Sequence, residues 1–411
     1  MNAPSRIHAL DNLRAMLMWL GIVLHVAVNH MATPTMPWRD SQSSPAADLI
    51  VLLIHSFRMP AFYILAGFFV ARMLEERGRA GMLKNRARRI GLPFVIFWPI
   101  LFVCVSSLIV IFAHLMQRGT IGFDLTLLPK REPHQTAFNT MHLWFLYDLL
   151  WLCLLAAVAS RLGQYLPHRV LAAARSAAGN MLATWWGTIV LAIPVALIGT
   201  AYPHGILAPS GSFVPNLAEI ADYGLFFAAG ATVYWQRHDL LPQLERRCWR
   251  NGIAGLVAFI LSLVTLKAGS AADARMAYPD LGTALFFGCT NWLWSLAVLG
   301  FFSRYLPRQN RVLKYLSDSS YWVYLVHLAG TIGFGILLYD APFGVAGKML
   351  LNISATTAVC LLSYHWLVRN SWIGVLLNGR RARDGSPASI GLPQLEQSPA
   401  GAAAAAKTTP L

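Results

Sequence analysis

Ten apolar stretches run along this chain, at approximately 15–33, 49–71, 91–117, 142–160, 181–201, 219–235, 252–269, 281–303, 319–338 and 347–368. Each approaches the roughly 20 residues that an α-helix needs to cross a hydrocarbon layer. The pattern predicts an all-α fold, a polytopic membrane bundle of about ten transmembrane helices. Its first stretch, RIHALDNLRAMLMWLGIVLHVAVNH, is interrupted by polar groups at a helical spacing. At 100° per residue, positions 14, 18, 21, 25 and 29 stay within one stripe, so Arg14, His25 and Asn29 face one way with Gly21 between them. A charge at the centre of a bilayer costs roughly 3 kcal/mol or more unless it faces protein or water. The stripe is therefore expected to line a narrow polar passage.

Composition agrees with a membrane location. Charged residues are 12% of the chain against 56% apolar, with a mean hydropathy of +0.51, about half the charge of an ordinary soluble domain. The formal charge of +15 need not imply an acidic or nucleic-acid partner. With the N-terminus inside, the inner connections hold 25 of the 33 Lys and Arg residues and the outer ones seven, leaving Arg58 within the second stretch. That bias places both termini in the cytoplasm. Cys104, Cys153, Cys248, Cys289 and Cys360 lack metal-ligand spacing and read as small core residues. Residues 1–370 are expected to form one membrane-embedded domain. A cytoplasmic tail, 371–411, becomes low in complexity and disordered after about 385. The first helix has no small-residue cleavage site and reads as retained.

Five segments carry a resemblance: LDNLRAMLMWLGIVLHVA, HSFRMPAFYILAGFF, KNRARRIGLPF, HLWFLYDLL and SYWVYLVHL. In this order they resemble the acyltransferase family 3 membrane proteins, and within that family the members that decorate periplasmic glucans with succinyl groups. The resemblance spans residues 10–328. It implies a multi-pass enzyme of the bacterial inner membrane. Such an enzyme takes an acyl group, succinyl or acetyl, from cytoplasmic acyl-CoA and delivers it to a hydroxyl of a periplasmic or cell-surface glycan. Acyl-CoA is then a donor substrate, with no permanently bound cofactor and no metal.

Moving an acyl group from a thioester to an alcohol needs a base for the hydroxyl proton and positive groups for the donor's phosphates and the developing oxyanion. His25 is the expected base. It lies about 16 Å along the helix from Arg14, near mid-bilayer. Arg58, about 13 Å from the outer end of its helix, is expected to polarise the carbonyl, stabilise the oxyanion or bind a succinyl carboxylate. Asp11 completes the expected catalytic set. Arg14, Arg86 and Arg89 are expected to hold the donor. His142, Trp144 and His327 are expected to contact the acceptor, with His142 and Trp144 at the outer interface. Each has a bland reading beside it: a buried structural His, a snorkelling or topology-setting Arg, an aromatic belt.

GVAGK at 344–348 lacks the spacing of a phosphate loop, and Asn352-Ile-Ser falls inside an apolar stretch. An O-acetyltransferase of lipopolysaccharide, exopolysaccharide or another sugar stays open as an alternative. A transporter using a mid-membrane His and Arg is a more distant one, unsupported by any internal repeat.

Overall fold

The computed structural model describes residues 3–33, 36–128, 138–271 and 278–378. The expected tail beyond 378 lies outside the described residues. Among the described residues twelve α-helices follow one another: α1 (Ala3–Val28), α2 (Pro45–Arg86), α3 (Leu92–Arg118), α4 (Trp144–Leu162), α5 (His168–Ala183), α6 (Trp185–Gly199), α7 (Leu217–Trp235), α8 (Arg237–Ala271), α9 (Tyr278–Tyr305), α10 (Arg311–Leu337), α11 (Gly344–Ser363) and α12 (Trp372–Asn378). Among the described residues there is no β-strand, only an isolated bridge between Met31 and Ser44. The protein is all-helical.

Seven helical runs are long and apolar enough to cross a membrane, and an eighth arises if α5 and α6, bent by 104° at their junction, act as one span. The ten expected crossings are not all recovered on length and apolarity. One of the seven, Pro45–Arg118, is 74 residues long and contains two of the ten apolar stretches. It leaves helical geometry at Gly78, whose φ is 65°. The 19-residue α7 falls outside the seven because Glu219 and Asp222 lower its hydropathy. Packed structure continues past residue 370: Leu377 of α12 is buried and Asn378 Nδ2 donates to Asp318 O at 2.9 Å.

Helix starts follow the local chemistry. The Ser44 hydroxyl accepts from Ala46 N and Pro45 opens α2. Asn216 Oδ1 accepts from Ala218 N at 2.9 Å ahead of α7, and Asn310 Oδ1 from Leu313 N at 2.8 Å ahead of α10. These caps satisfy N–H groups that a helix end leaves open.

α1 sits in the middle of the bundle, against α2, α9, α10 and α11. Two anchors fix its C-terminal end. Asn29 Nδ2 donates to Thr331 O of α10 at 3.1 Å, and Asn29 Oδ1 accepts from Trp38 Nε1 at 3.0 Å. The polar stripe of α1 thus ends in a structural asparagine. Beside it, Lys348 Nζ and Asp40 Oδ1 form an ion pair at 2.8 Å with both side chains buried, which ties the loop after α1 to the start of α11.

α2 and α7 pack through a reciprocal pair of glycines. A Cβ on Gly67 would collide with the Phe227 carbonyl, and one on Gly230 with the Ile64 carbonyl. Without an aqueous driving force between spans, close backbone approach supplies the van der Waals contact that holds them. Gly67→Leu must separate the two helices. It is expected to cost at least about 1–3 kcal/mol, as overpacking does, read as a lower unfolding midpoint of the detergent-solubilised protein. An unchanged midpoint would mean that the two backbones are not in contact.

Candidate active site

The site begins with Pro60. Lacking an N–H, it cannot bond the carbonyl of residue 56, so the α2 ladder opens one turn ahead of it. With the Asn291 amide oriented to satisfy its neighbours, its NH2 donates to Ser56 O at 2.7 Å and to Phe287 O at 2.9 Å. α9 thereby fills the gap in α2. Arg58 lies in this locally opened turn and is only 6% exposed.

Arg58 Nε donates to Leu17 O of α1 at 2.9 Å, and its guanidinium carbon lies 5.9 Å from the Phe62 ring centre. Among the described residues no carboxylate pairs with it. Its outer nitrogens reach across Gly21, where a Cβ would stand 2.7 Å from Nη2 and 3.2 Å from His327 Nε2. The small residue read in the α1 stripe is therefore the floor of a gap between a buried cation and an imidazole.

Three histidines converge there. The His25 and His327 rings are 5.1 Å apart, and His327 and His142 are 5.6 Å apart. His327 Nδ1 donates to Tyr324 O at 2.7 Å and to Val323 O at 3.0 Å. That fixes the neutral tautomer with Nε2 as an acceptor, and Nε2 is buried without a partner. His142 Nε2 donates to Leu325 O at 3.0 Å, leaving Nδ1 buried and equally open. Tyr324 braces the pair by donating its hydroxyl to His142 O at 2.7 Å. His25 is half-buried, and among the described residues its ring has no hydrogen-bond partner.

Other expected residues take different places. His142 is buried rather than interfacial: Met141 adopts a left-handed φ of 52° that carries the chain from loop to helix and turns His142 into the bundle. A non-glycine residue in that region is strained, and such strain clusters at functional sites. Trp144 is half-buried and stacks on Tyr223 with ring centres 5.5 Å apart, so it braces a side chain instead of facing water. Asp11 pairs with Arg14 at 3.3 Å, both partly exposed. Fourteen residues of helix, about 21 Å, separate it from His25, so Asp11 holds Arg14 and does not reach the same centre.

At that end of α1, Arg14 and Arg89 lie within electrostatic range of Arg86. The Nε of Arg86 is buried with no partner. A π-helical turn, Ala87–Gly91, interrupts the helix here, and Tyr321 OH donates to Arg89 O at 3.1 Å within it. π-turns re-aim side chains and recur at functional sites.

Sequence reasoning passed over Asp148, Glu219 and Asp222, all buried in helices. The signal was present, since each is an acid inside an apolar stretch. Glu219 Oε1 accepts from Ser210 N at 2.8 Å. In the adjoining connection, burial pushes the Tyr202 hydroxyl above its ordinary value, with Glu219 adding to the shift. Asn216 Nδ2 donates to that hydroxyl at 3.2 Å.

Comparison with known proteins identifies the family. The acyltransferase domain matches residues 7–366. The chain belongs to the acyltransferase 3 family. Among its relatives is Glucans biosynthesis protein C of Escherichia coli SMS-3-5, 24% identical over 405 residues that cover 93% of this chain and 98% of the relative. The protein of the same name from Escherichia coli O157:H7 is 24% identical over the same shares. No solved structure matches the chain. This acyltransferase transfers groups other than amino-acyl groups.

Gly21→Ala should test the gap. The added methyl meets Arg58 Nη2 at 2.7 Å, so turnover is expected to fall by roughly 100-fold, as small displacements in a reacting geometry do. Expression and thermal stability should stay near those of the parent. Full turnover in the variant would show that nothing reacts across Gly21.

Proposed function

We propose that this chain is a transmembrane O-acyltransferase that moves succinyl or acetyl from cytoplasmic acyl-CoA to a hydroxyl of an extracytoplasmic glycan. It sits in the bacterial inner membrane, crosses it ten times and keeps both termini in the cytoplasm. The observation that carries the reading is Arg58: a buried guanidinium without a carboxylate, facing an imidazole acceptor across Gly21. An unpaired buried cation costs several kcal/mol. A site that retains one supports the binding of an anion that is present only during function.

In this mechanism His25 takes the proton of the acceptor hydroxyl, and the hydroxyl oxygen attacks the thioester carbonyl carbon. The His327 ring packs against that of His25 at 5.1 Å and limits how the base can turn. Negative charge collects on the carbonyl oxygen, where the Arg58 nitrogens stabilise it. The tetrahedral intermediate then expels CoA thiolate, which takes the proton from His25. The balance is acyl-CoA and alcohol to ester and free thiol. Arg14, Arg86 and Arg89 pair with the phosphates of the donor about 16 Å away along α1, a separation that the extended pantetheine arm bridges. Periplasmic glucan is the proposed acceptor, supported by the name of the Escherichia coli relatives.

His25→Ala is expected to abolish transfer while CoA binding persists; transfer at the parental rate by that variant would remove His25 from the reaction. Replacing Arg86 and Arg89 together by Ala should raise KM for acyl-CoA about tenfold or more, the worth of one or two charge-assisted bonds. An unchanged donor KM would reduce these arginines to topology signals.

Parallel assays with succinyl-CoA and acetyl-CoA separate the roles of Arg58. Arg58→Gln should lower both activities equally if the guanidinium holds the oxyanion. It should lower succinyl transfer more if the cation also pairs with the distal carboxylate. A parent that uses only acetyl-CoA would leave the O-acetyltransferase reading standing and remove succinylation.

A further inference from the structure

A cleft with about 500 Å³ of empty space, part of it open to solvent, lies on the far side of Arg58 from the arginine cluster. Its walls come from α2, α6, α7 and α9 and from the connection after α6. His55, Asp222, Tyr223 and Asn291 supply its polar side chains, and Met59 and Pro60 an apolar side. Nothing in the acyl-transfer chemistry above uses these groups. We propose that this cleft is the acceptor subsite, and that it selects an uncharged, hydroxyl-rich sugar ring through Asp222, His55 and Asn291. The inference rests on the transferase reading and assigns its acceptor side to particular residues.

Four observations carry it. First, Asp222 is 4% exposed, lines the cleft, and keeps Oδ1 without a hydrogen-bond partner. A buried acceptor of this kind is costly unless a ligand donates to it, and a sugar hydroxyl is such a donor. Second, Asn291 spends its NH2 on the Ser56 and Phe287 carbonyls, so what it has left to offer is carbonyl acceptor capacity.

Third, Tyr223 backs the cleft as the centre of an aromatic stack. Tyr63 lies 4.5 Å from it at 18°, and Trp144 lies 5.5 Å from it at 28°. A ring held on both faces cannot turn away, so its edge forms a rigid apolar wall together with Met59 and Pro60. Fourth, His55 is one helical turn before Arg58, about 4.5 Å of rise. A ring seated at His55 therefore directs a hydroxyl toward the gap between Arg58 and His25.

The same walls exclude other occupants. Glu219, three residues before Asp222 on α7 and so on the same face, is buried as well. An anionic ring, phosphorylated or uronic, would bring a further acid against this buried pair and is disfavoured there. The donor phosphates thus meet the arginine cluster, while the acceptor hydroxyls meet the acid and amide of the cleft.

The test uses full-length protein in detergent and two probes: a neutral glucose oligosaccharide, and the same oligosaccharide bearing a terminal glucuronate. Calorimetric binding should favour the neutral probe. Asp222→Asn should weaken its binding about tenfold, the worth of a hydrogen bond to a charged group, and raise the acceptor KM in step, with affinity for CoA unchanged. His55→Gln should weaken the same probe by several fold. If Asp222→Asn also loses CoA binding, its fold has failed and His55→Gln decides by the same comparison.

Parental affinity for the neutral probe in variants that still bind CoA would overturn the subsite while leaving the transferase reading intact. A parent that binds and acylates only the glucuronate probe would overturn it as well. A parent that neither binds nor acylates either sugar would overturn both the subsite and the glycan-acceptor reading.

Discussion

The bundle is organised around a buried cation that no carboxylate among the described residues neutralises. Arg58 is buried against α1 by a bond to the Leu17 carbonyl and by the Phe62 ring, and neither contact cancels its charge. Removing a cation from water costs several kcal/mol even after the protein relaxes. The surrounding helices must therefore be locked well enough to hold it there. The reciprocal Gly67 and Gly230 contacts with the carbonyls of the facing helix do this for α2 and α7. Asn291 does it for α2 and α9 at the turn that Pro60 opens.

Around that charge the imidazoles are arranged by backbone carbonyls, not by carboxylates. His327 and His142 each donate one N–H to the main chain of α10 and keep the other nitrogen as an acceptor. A carboxylate partner would have favoured imidazolium and neutralised Arg58 as well. Carbonyl partners leave the rings poised to accept protons while the guanidinium keeps its full attraction for an anion.

Much of the helical layout was legible because long apolar runs have few other fates. All ten stretches lie on helices, yet α7 is weakened by its two acids and α6 is joined to α5 at a sharp bend. In the site, helical spacing alone put Gly21 and His25 on one stripe and set Arg58 at a matching depth. What spacing could not give was anything decided between elements. The burial of His142 depends on one left-handed residue, Met141. The cleft beside Asp222 joins side chains that are up to 236 positions apart, from His55 to Asn291, and no local pattern marks it.

The π-helical turn at Ala87–Gly91 implies that the length of this segment matters as much as its composition. Such a turn is an α-helix with one residue too many, absorbed locally. Excising a single residue there would restore a regular helix and rotate Arg86 by about 100° relative to α3, with every arginine still present. The basic motif is therefore a matter of phase: in a lineage that gained or lost one residue at this point, an intact run of arginines would face another direction.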